Sequence, residues 1–68
     1  MKISARNVLK GKVVDIVKGA TTAHVMIDVG GTIVTASITN ESVDDLGLVK
    51  GMTASAVIKS SDVMVAVE

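Results

Sequence analysis

Two short segments near opposite ends of the chain combine cationic side chains with hydroxyl groups. Ser4-Ala5-Arg6-Asn7 lies near the start, and Lys59-Ser60-Ser61-Asp62 lies near the end. Arginine offers a planar fork of N–H donors, lysine a compact ammonium, and serine an O–H donor. Converging donors of these kinds suit a small oxyanion. A metal cation would instead need carboxylate, imidazole or thiolate ligands, so we expect no direct protein ligands for a metal here.

Each segment also has an ordinary structural explanation. Ser4 and Arg6 could be the polar entrance to a first strand. The segment from Lys59 to Asp62 could be a hairpin turn, because Ser and Asp satisfy turn backbone groups and Lys protects a sheet edge. Residue types alone leave both explanations open, and the choice depends on the order of motifs along the whole chain.

Three motifs carry a resemblance to a known family. They are SARN at residues 4–7, ITNES at 38–42 and VIKSSDVM at 57–64. In this order, and in a chain of this length, they resemble the molbindins, which are small molybdate-binding proteins. The same unit occurs as a domain of molybdate-responsive transcription regulators and of some transporter ATPase subunits. The resemblance covers essentially all 68 residues and implies a single domain, residues 1–68.

The resemblance implies a molybdate site that is shared between subunits. Its residues would be Ser4, Ala5, Arg6, Thr39, Ser42, Lys59 and Ser60. Ala5 would act through nearby backbone N–H groups, and Thr39 and Ser42 would come from the neighbouring subunit. Molybdate is a dianion with four acceptor oxygens, so a pocket of donors matches it and rejects protonated phosphate. Tungstate is nearly the same size and should bind too, and no covalent cofactor is expected.

Composition limits how so short a chain can be stabilised and what it can bind. The 68 residues include no cysteine and one histidine, so disulfides are excluded and a protein-built zinc site is improbable. Oligomerisation is the remaining reinforcement for a small domain, and a hydrophobic content of 49% supplies the surface for it. The resemblance implies a homo-hexamer built as a trimer of dimers. A net charge of zero offers no field to attract a polyanion or a membrane.

Apolar residues alternate with period two, which predicts an all-β fold. We expect an OB-like five-stranded barrel with one short helix between strands 3 and 4. The Val13-Val14 pair predicts either a bulge in the first strand or a change of the sheet that it faces. Gly30-Gly31 predicts a hairpin turn, and residues 40–47 predict the helix, with Val43 and Leu46 plugging one end of the barrel. The predicted strands begin and end at Asn7 and Val17, Ala23 and Val29, Thr32 and Thr39, Thr53 and Lys59, and Val63 and Val67.

These observations favour a non-enzymatic, cytoplasmic protein that binds, stores and buffers molybdate or tungstate. The chain has no signal-peptide pattern and no apolar run that could span a membrane. A nucleic-acid-binding OB module is an alternative, but it would need aromatic platforms, and the chain has no Phe, Tyr or Trp. Binding of a molybdenum–pterin cofactor is a second alternative, which the same lack of stacking rings disfavours. No Ser-His-Asp arrangement or phosphate loop indicates an enzyme.

Overall fold

One curled antiparallel sheet of four strands forms the body of the protein. The computed structural model describes residues 1–68. In chain order its elements are β1 (Asn7–Lys18), β2 (Thr22–Asp28), β3 (Ile33–Thr39), helix α1 (Asn40–Asp45), β4 (Thr53–Ile58) and a 3₁₀ turn (Ser60–Asp62). The strands are ordered β3-β2-β1-β4 in the sheet, and every neighbouring pair is antiparallel. The predicted all-β class with one short helix is confirmed, whereas the count of five strands is not.

Strand β1 joins the two halves of the sheet because it pairs with β4 along its first half and with β2 along its second. The register with β2 shifts between Val13 and Asp15, which leaves Val14 as the extra residue of a bulge. The bulge that the Val13-Val14 pair predicts is therefore present. Just before it, a Cβ on Gly11 would overlap the backbone of Asp28, so only glycine permits β1 to approach β2 this closely.

A small apolar core lies under β2 and the bulge. Alternate residues of β2 are buried, while His24 between them is exposed, as the period-two pattern predicts. The six residues of the core cluster are Val13, Ala23, Val25, Ile27, Val43 and Ala56. Only seven of the 68 residues are buried, so one copy of the chain buries too little apolar surface to be well stabilised by itself.

The turn between β2 and β3 depends on two glycines. Gly30 and Gly31 have φ angles of +91° and +97°, a backbone region that residues with a Cβ rarely adopt. The backbone N–H of Gly31 donates to Asp28 Oδ1 at 2.7 Å, and Val29 N donates to Thr32 O at 2.8 Å. The hairpin predicted at Gly30-Gly31 is present, with β3 beginning at Ile33.

Helix α1 covers one end of the sheet, but only partly as predicted. Val43 is 3% exposed and packs in the core, whereas Leu46 is 66% exposed. The prediction that Leu46 plugs the barrel is wrong, because this C-cap residue leaves most of its side chain exposed to solvent. A salt bridge of 2.7 Å between Lys18 Nζ and Asp44 Oδ1 joins the helix to the end of β1.

The predicted fifth strand, from Val63 to Val67, does not form. Residues 60–62 make a 3₁₀ turn, in which Asp62 N donates to Lys59 O at 2.9 Å, rather than a hairpin turn. Such a turn lacks the backbone twist that returns a chain along its preceding strand. Residues 63–68 therefore leave the sheet, and Met64, Val65 and Val67 are 94%, 90% and 92% exposed.

No helix in the structure has the length and apolar character needed to cross a membrane.

Candidate oxyanion site

The two cationic segments meet at one end of the ladder between β1 and β4. Asn7 and Ile58 form the terminal pair of this antiparallel ladder. Ser4, Ala5 and Arg6 directly precede Asn7, and Lys59 directly follows Ile58, so the register places the segments side by side. Asn7 Nδ2 also donates to Ile58 O at 3.2 Å. Two positions that are 51 residues apart in sequence are thus direct neighbours in the structure.

The side chains of this half of the site are free to bind a ligand. Ser4, Arg6, Lys59 and Ser60 are exposed, and none of them donates a side-chain hydrogen bond within the chain. The salt bridge formed in the structure involves Lys18, not the cations of this site. Two positive charges at one sheet end therefore lack a carboxylate partner, which is an arrangement that favours an anion.

Ala5 differs from its neighbours because it is buried, with 8% of its surface exposed. A buried residue between exposed Ser4 and exposed Arg6 anchors the segment to the body of the protein. The small side chain lets the backbone lie close to the sheet. The Ser4 hydroxyl and the Arg6 guanidinium therefore extend from a backbone that Ala5 holds in place, and not from a mobile chain end.

Thr39 and Ser42 lie at the junction between β3 and α1. Thr39 is the N-cap of the helix: its Oγ1 accepts a hydrogen bond from Ser42 N at 3.0 Å. The same Oγ1 donates to Ser42 Oγ at 2.8 Å. Because this bond uses the single hydroxyl proton of Thr39, the proton of Ser42 is the one left to donate outward.

Asn40 fixes this junction against the turn between β1 and β2. Its backbone N–H donates to Thr21 O at 2.9 Å, and its Nδ2 donates to Gly19 O at 2.9 Å. These two hydrogen bonds from Asn40 therefore hold the junction that carries Thr39 and Ser42 against the turn. A rigid donor loses less conformational entropy when it binds a ligand than a mobile one does.

The two groups of predicted site residues lie at opposite ends of β1. Arg6 directly precedes the strand, whereas Thr39 pairs with Thr22 beside the strand's last residues. A strand of 12 residues separates its ends by on the order of 30 Å at about 3.3 Å per residue. One copy of the chain brings Ser4, Arg6, Lys59 and Ser60 together and does not bring Thr39 and Ser42 to them.

Comparison with known proteins gives this arrangement a family. The model of the TOBE domain matches residues 3–65. The chain belongs to the TOBE domain family. This TOBE domain is 53% identical over 66 residues to molybdenum-pterin-binding protein 3 of Clostridium pasteurianum, a match that covers 96% of this chain and 97% of that protein.

Solved structures agree with the sequence match. The domain superposes on a molybdate-binding protein from Sporomusa ovata with a TM-score of 0.93 and 44% identity, over 97% of this chain and 98% of that one. It matches the cytoplasmic molybdate-binding protein ModG with a TM-score of 0.90 and 48% identity, over 94% of this chain and 46% of that one. The resemblance to the molbindins is confirmed.

Asn7 is the residue of this TOBE domain that the site prediction missed. Its side chain links the two cationic segments directly, through the bond to Ile58 O. The only sequence signal was its place as the last letter of the SARN motif.

The structure contains no group of three or more His, Asp or Glu side chains that could hold a metal ion.

Proposed function

We propose that this TOBE domain binds molybdate or tungstate as the free oxyanion, at sites between subunits. The observation that carries the proposal is that the segments of Arg6 and Lys59 meet at one sheet end and that neither cation forms a salt bridge within the chain. Ser4 and Ser60 add hydroxyl donors, and the held backbone around Ala5 adds N–H donors. The names of the relatives, which describe molybdate or molybdenum–pterin binding, support the same ligand chemistry.

The donor set selects among anions by hydrogen-bond polarity and by size. Arg6 can bind two oxygens at once through its planar guanidinium, whereas Lys59 contributes a point charge. An anion without a proton accepts from every donor, while protonated phosphate would place its O–H against another donor. Sulfate is also fully ionised, so its rejection would rest on its smaller size.

The site is completed by a second copy of the chain. The hydroxyls of Thr39 and Ser42 lie at the far end of β1 from Arg6, so a single copy offers only half of the donors. The domain acts as a homo-oligomer, by family resemblance a hexamer arranged as a trimer of dimers. Its role is storage and buffering of the oxyanion in the cytoplasm by a single domain, without catalysis.

A molybdenum–pterin ligand is the second candidate, because relatives carry that description. A pterin is a flat ring system, and proteins bind such rings by stacking aromatic side chains on them. This chain has no Phe, Tyr or Trp. The free oxyanion is therefore the better match for the donors present. The same absence counts against nucleic-acid binding, which in OB-type folds relies on aromatic platforms.

Isothermal titration calorimetry with molybdate, tungstate, sulfate and phosphate tests the proposal. We expect tight binding of the first two anions and binding at least tenfold weaker for the other two. Equal affinity for sulfate and molybdate would contradict the site as proposed. A separate gel mobility-shift assay with a single-stranded oligonucleotide at low salt tests the nucleic-acid alternative. A shift that added salt abolishes would support that alternative.

A further inference from the structure

Asn40, the first residue of α1, makes two hydrogen bonds to a single turn of the sheet. Its backbone N–H donates to Thr21 O and its Nδ2 donates to Gly19 O, both at 2.9 Å. The turn is itself closed by a hydrogen bond of 2.8 Å from Gly19 N to Thr22 O. Asn40 is therefore attached to a closed segment of backbone and not to a loose loop.

The side-chain oxygen of Asn40 has no such partner. This Oδ1 is buried, and no donor of the chain reaches it. Reversing the amide would turn the oxygen toward Gly19 O, so that two acceptors faced each other, and the bond from Nδ2 therefore fixes the orientation. A buried acceptor without a donor costs at least as much free energy of folding as one neutral hydrogen bond contributes. The amide thus adds little net stability, and stability alone does not account for an asparagine at this position.

The placement of α1 depends on contacts with the rest of the protein. The helix has six residues, which are too few for a helix to be stable alone. Val43 holds it by burial, and the salt bridge between Lys18 and Asp44 is exposed on both sides and contributes little. The side-chain bond from Asn40 is the contact that holds the first turn of the helix, next to the hydroxyl of Ser42.

We infer that Asn40 is a positioning residue of the oxyanion site, which sets the direction in which Ser42 donates its hydroxyl proton. Ser42 Oγ accepts from Thr39 Oγ1 at 2.8 Å, and Ser42 N donates to the same atom at 3.0 Å. Both bonds depend on the placement of the first helical turn, which Asn40 ties to the carbonyl of Gly19. The role is indirect, because the hydroxyl binds the anion and the amide holds the hydroxyl in place. The inference rests on the function proposed above.

Asn40→Ala tests the side chain by itself, because the backbone bond to Thr21 is kept. We expect the molybdate affinity measured by calorimetry to fall roughly two- to tenfold. The control variant Lys18→Gln/Asp44→Asn breaks the salt bridge of the same helix without changing the net charge, and it should bind within about twofold of the parent. Parental affinity in Asn40→Ala, or an equal loss in the control, would overturn the inference.

A double-mutant cycle separates positioning of the hydroxyl from a general loosening of the protein. If Asn40 acts through Ser42, Asn40→Ala should cost little further affinity once Ser42→Ala has removed that hydroxyl. In a Ser60→Ala background it should still cost its full factor, because Ser60 lies in the other half of the site. Equal losses in the two backgrounds would overturn the inference.

Amide hydrogen exchange provides a second measurement, which needs no ligand. In Asn40→Ala, the Ser42 N–H should exchange at least about tenfold faster, because its acceptor is no longer held in place. The amides of β2, an inner strand of the sheet, should keep their parental rates. Loss of protection in β2 as well would show that the amide is a general folding contact, and this would overturn the positioning role.

The two measurements also distinguish this inference from the ligand proposal. If the parent bound no molybdate while the exchange rates changed as expected, the ligand proposal would be wrong, and the exchange result would still support the placement of Ser42 by Asn40. If the parent bound molybdate and Asn40→Ala changed neither the affinity nor the exchange of the Ser42 N–H, the ligand proposal would stand and the positioning role would be wrong.

Discussion

Asn7 Nδ2 donates a hydrogen bond to Ile58 O at 3.2 Å, and this bond joins the segments that carry Arg6 and Lys59. Both residues lie at the last pair of the ladder between β1 and β4, where strand ends tend to fray. The amide therefore ties together the two backbone segments from which the cations of the candidate site extend. A donor set whose spacing is held in advance loses less entropy when it binds its anion.

Asn7→Ala should weaken molybdate binding without unfolding the protein. The lost hydrogen bond is worth about 0.5–1.5 kcal/mol, which corresponds to roughly a two- to tenfold loss of affinity if it acts through positioning. Calorimetry measures the effect. Thr53→Ala, at the other end of the same ladder, is the control and should bind normally. Unchanged affinity in Asn7→Ala would show that the bond does not position the cations.

Arg6→Ala should remove most of the molybdate affinity. A charge-assisted hydrogen bond contributes about 1.5–3 kcal/mol, so the loss of the guanidinium should cost roughly ten- to 150-fold in the dissociation constant. Arg6→Lys should recover only part of it, because an ammonium keeps the charge but not the fork. Lys10→Ala removes another exposed cation, from the adjoining part of β1, and should have little effect. Parental affinity in Arg6→Ala would contradict the proposed site.

Local patterns predicted most of the sheet because their physical cause is local. The alternation along β2 and the bulge at Val13-Val14 depend on which face of one strand is buried. The last five predicted strand residues show the limit of this reasoning. Alternating Val63, Val65 and Val67 predict a strand, but the 3₁₀ turn at residues 60–62 does not return the chain along β4, so the segment has no neighbouring strand to pair with in this chain.

Sequence reasoning likewise predicted one part of the candidate site and missed another. Residue chemistry indicated the oxyanion, and motif order assigned the donors to it. The contribution of Asn7 could not be predicted, because it depends on a pairing with Ile58 across 51 residues. Which of the two hydroxyls, Thr39 or Ser42, donates to the other likewise follows from the cap geometry and not from residue type.

Mixed oligomers should regain binding if each site takes donors from two subunits. Arg6→Ala and Ser42→Ala chains, co-expressed and purified together, should form some sites that combine an intact Arg6 with an intact Ser42. Random assembly gives about a quarter of such sites. The matched control mixes Arg6→Ala with Lys59→Ala, which damage the same half and should show no recovery. If the first mixture binds no better than its components, all donors belong to one subunit or the assignment is wrong.

Molybdate should raise the thermal stability of the oligomer, because an anion that touches two chains binds only the assembled state. At a hundred times the dissociation constant, one site contributes about 2.7 kcal/mol. For a domain of this size, 1 kcal/mol corresponds to a midpoint shift of about 4–8 °C, so the rise should be roughly 10 °C or more.

The measurement is thermal unfolding in saturating molybdate and in the same concentration of sulfate, for the parent and for Arg6→Ala. We expect a large rise only for the parent with molybdate. Sulfate at equal ionic strength accounts for screening of charges, and Arg6→Ala accounts for binding elsewhere on the protein. A rise of the same size with both anions would mean that stabilisation comes from screening, and a rise retained in Arg6→Ala would place the anion at another site.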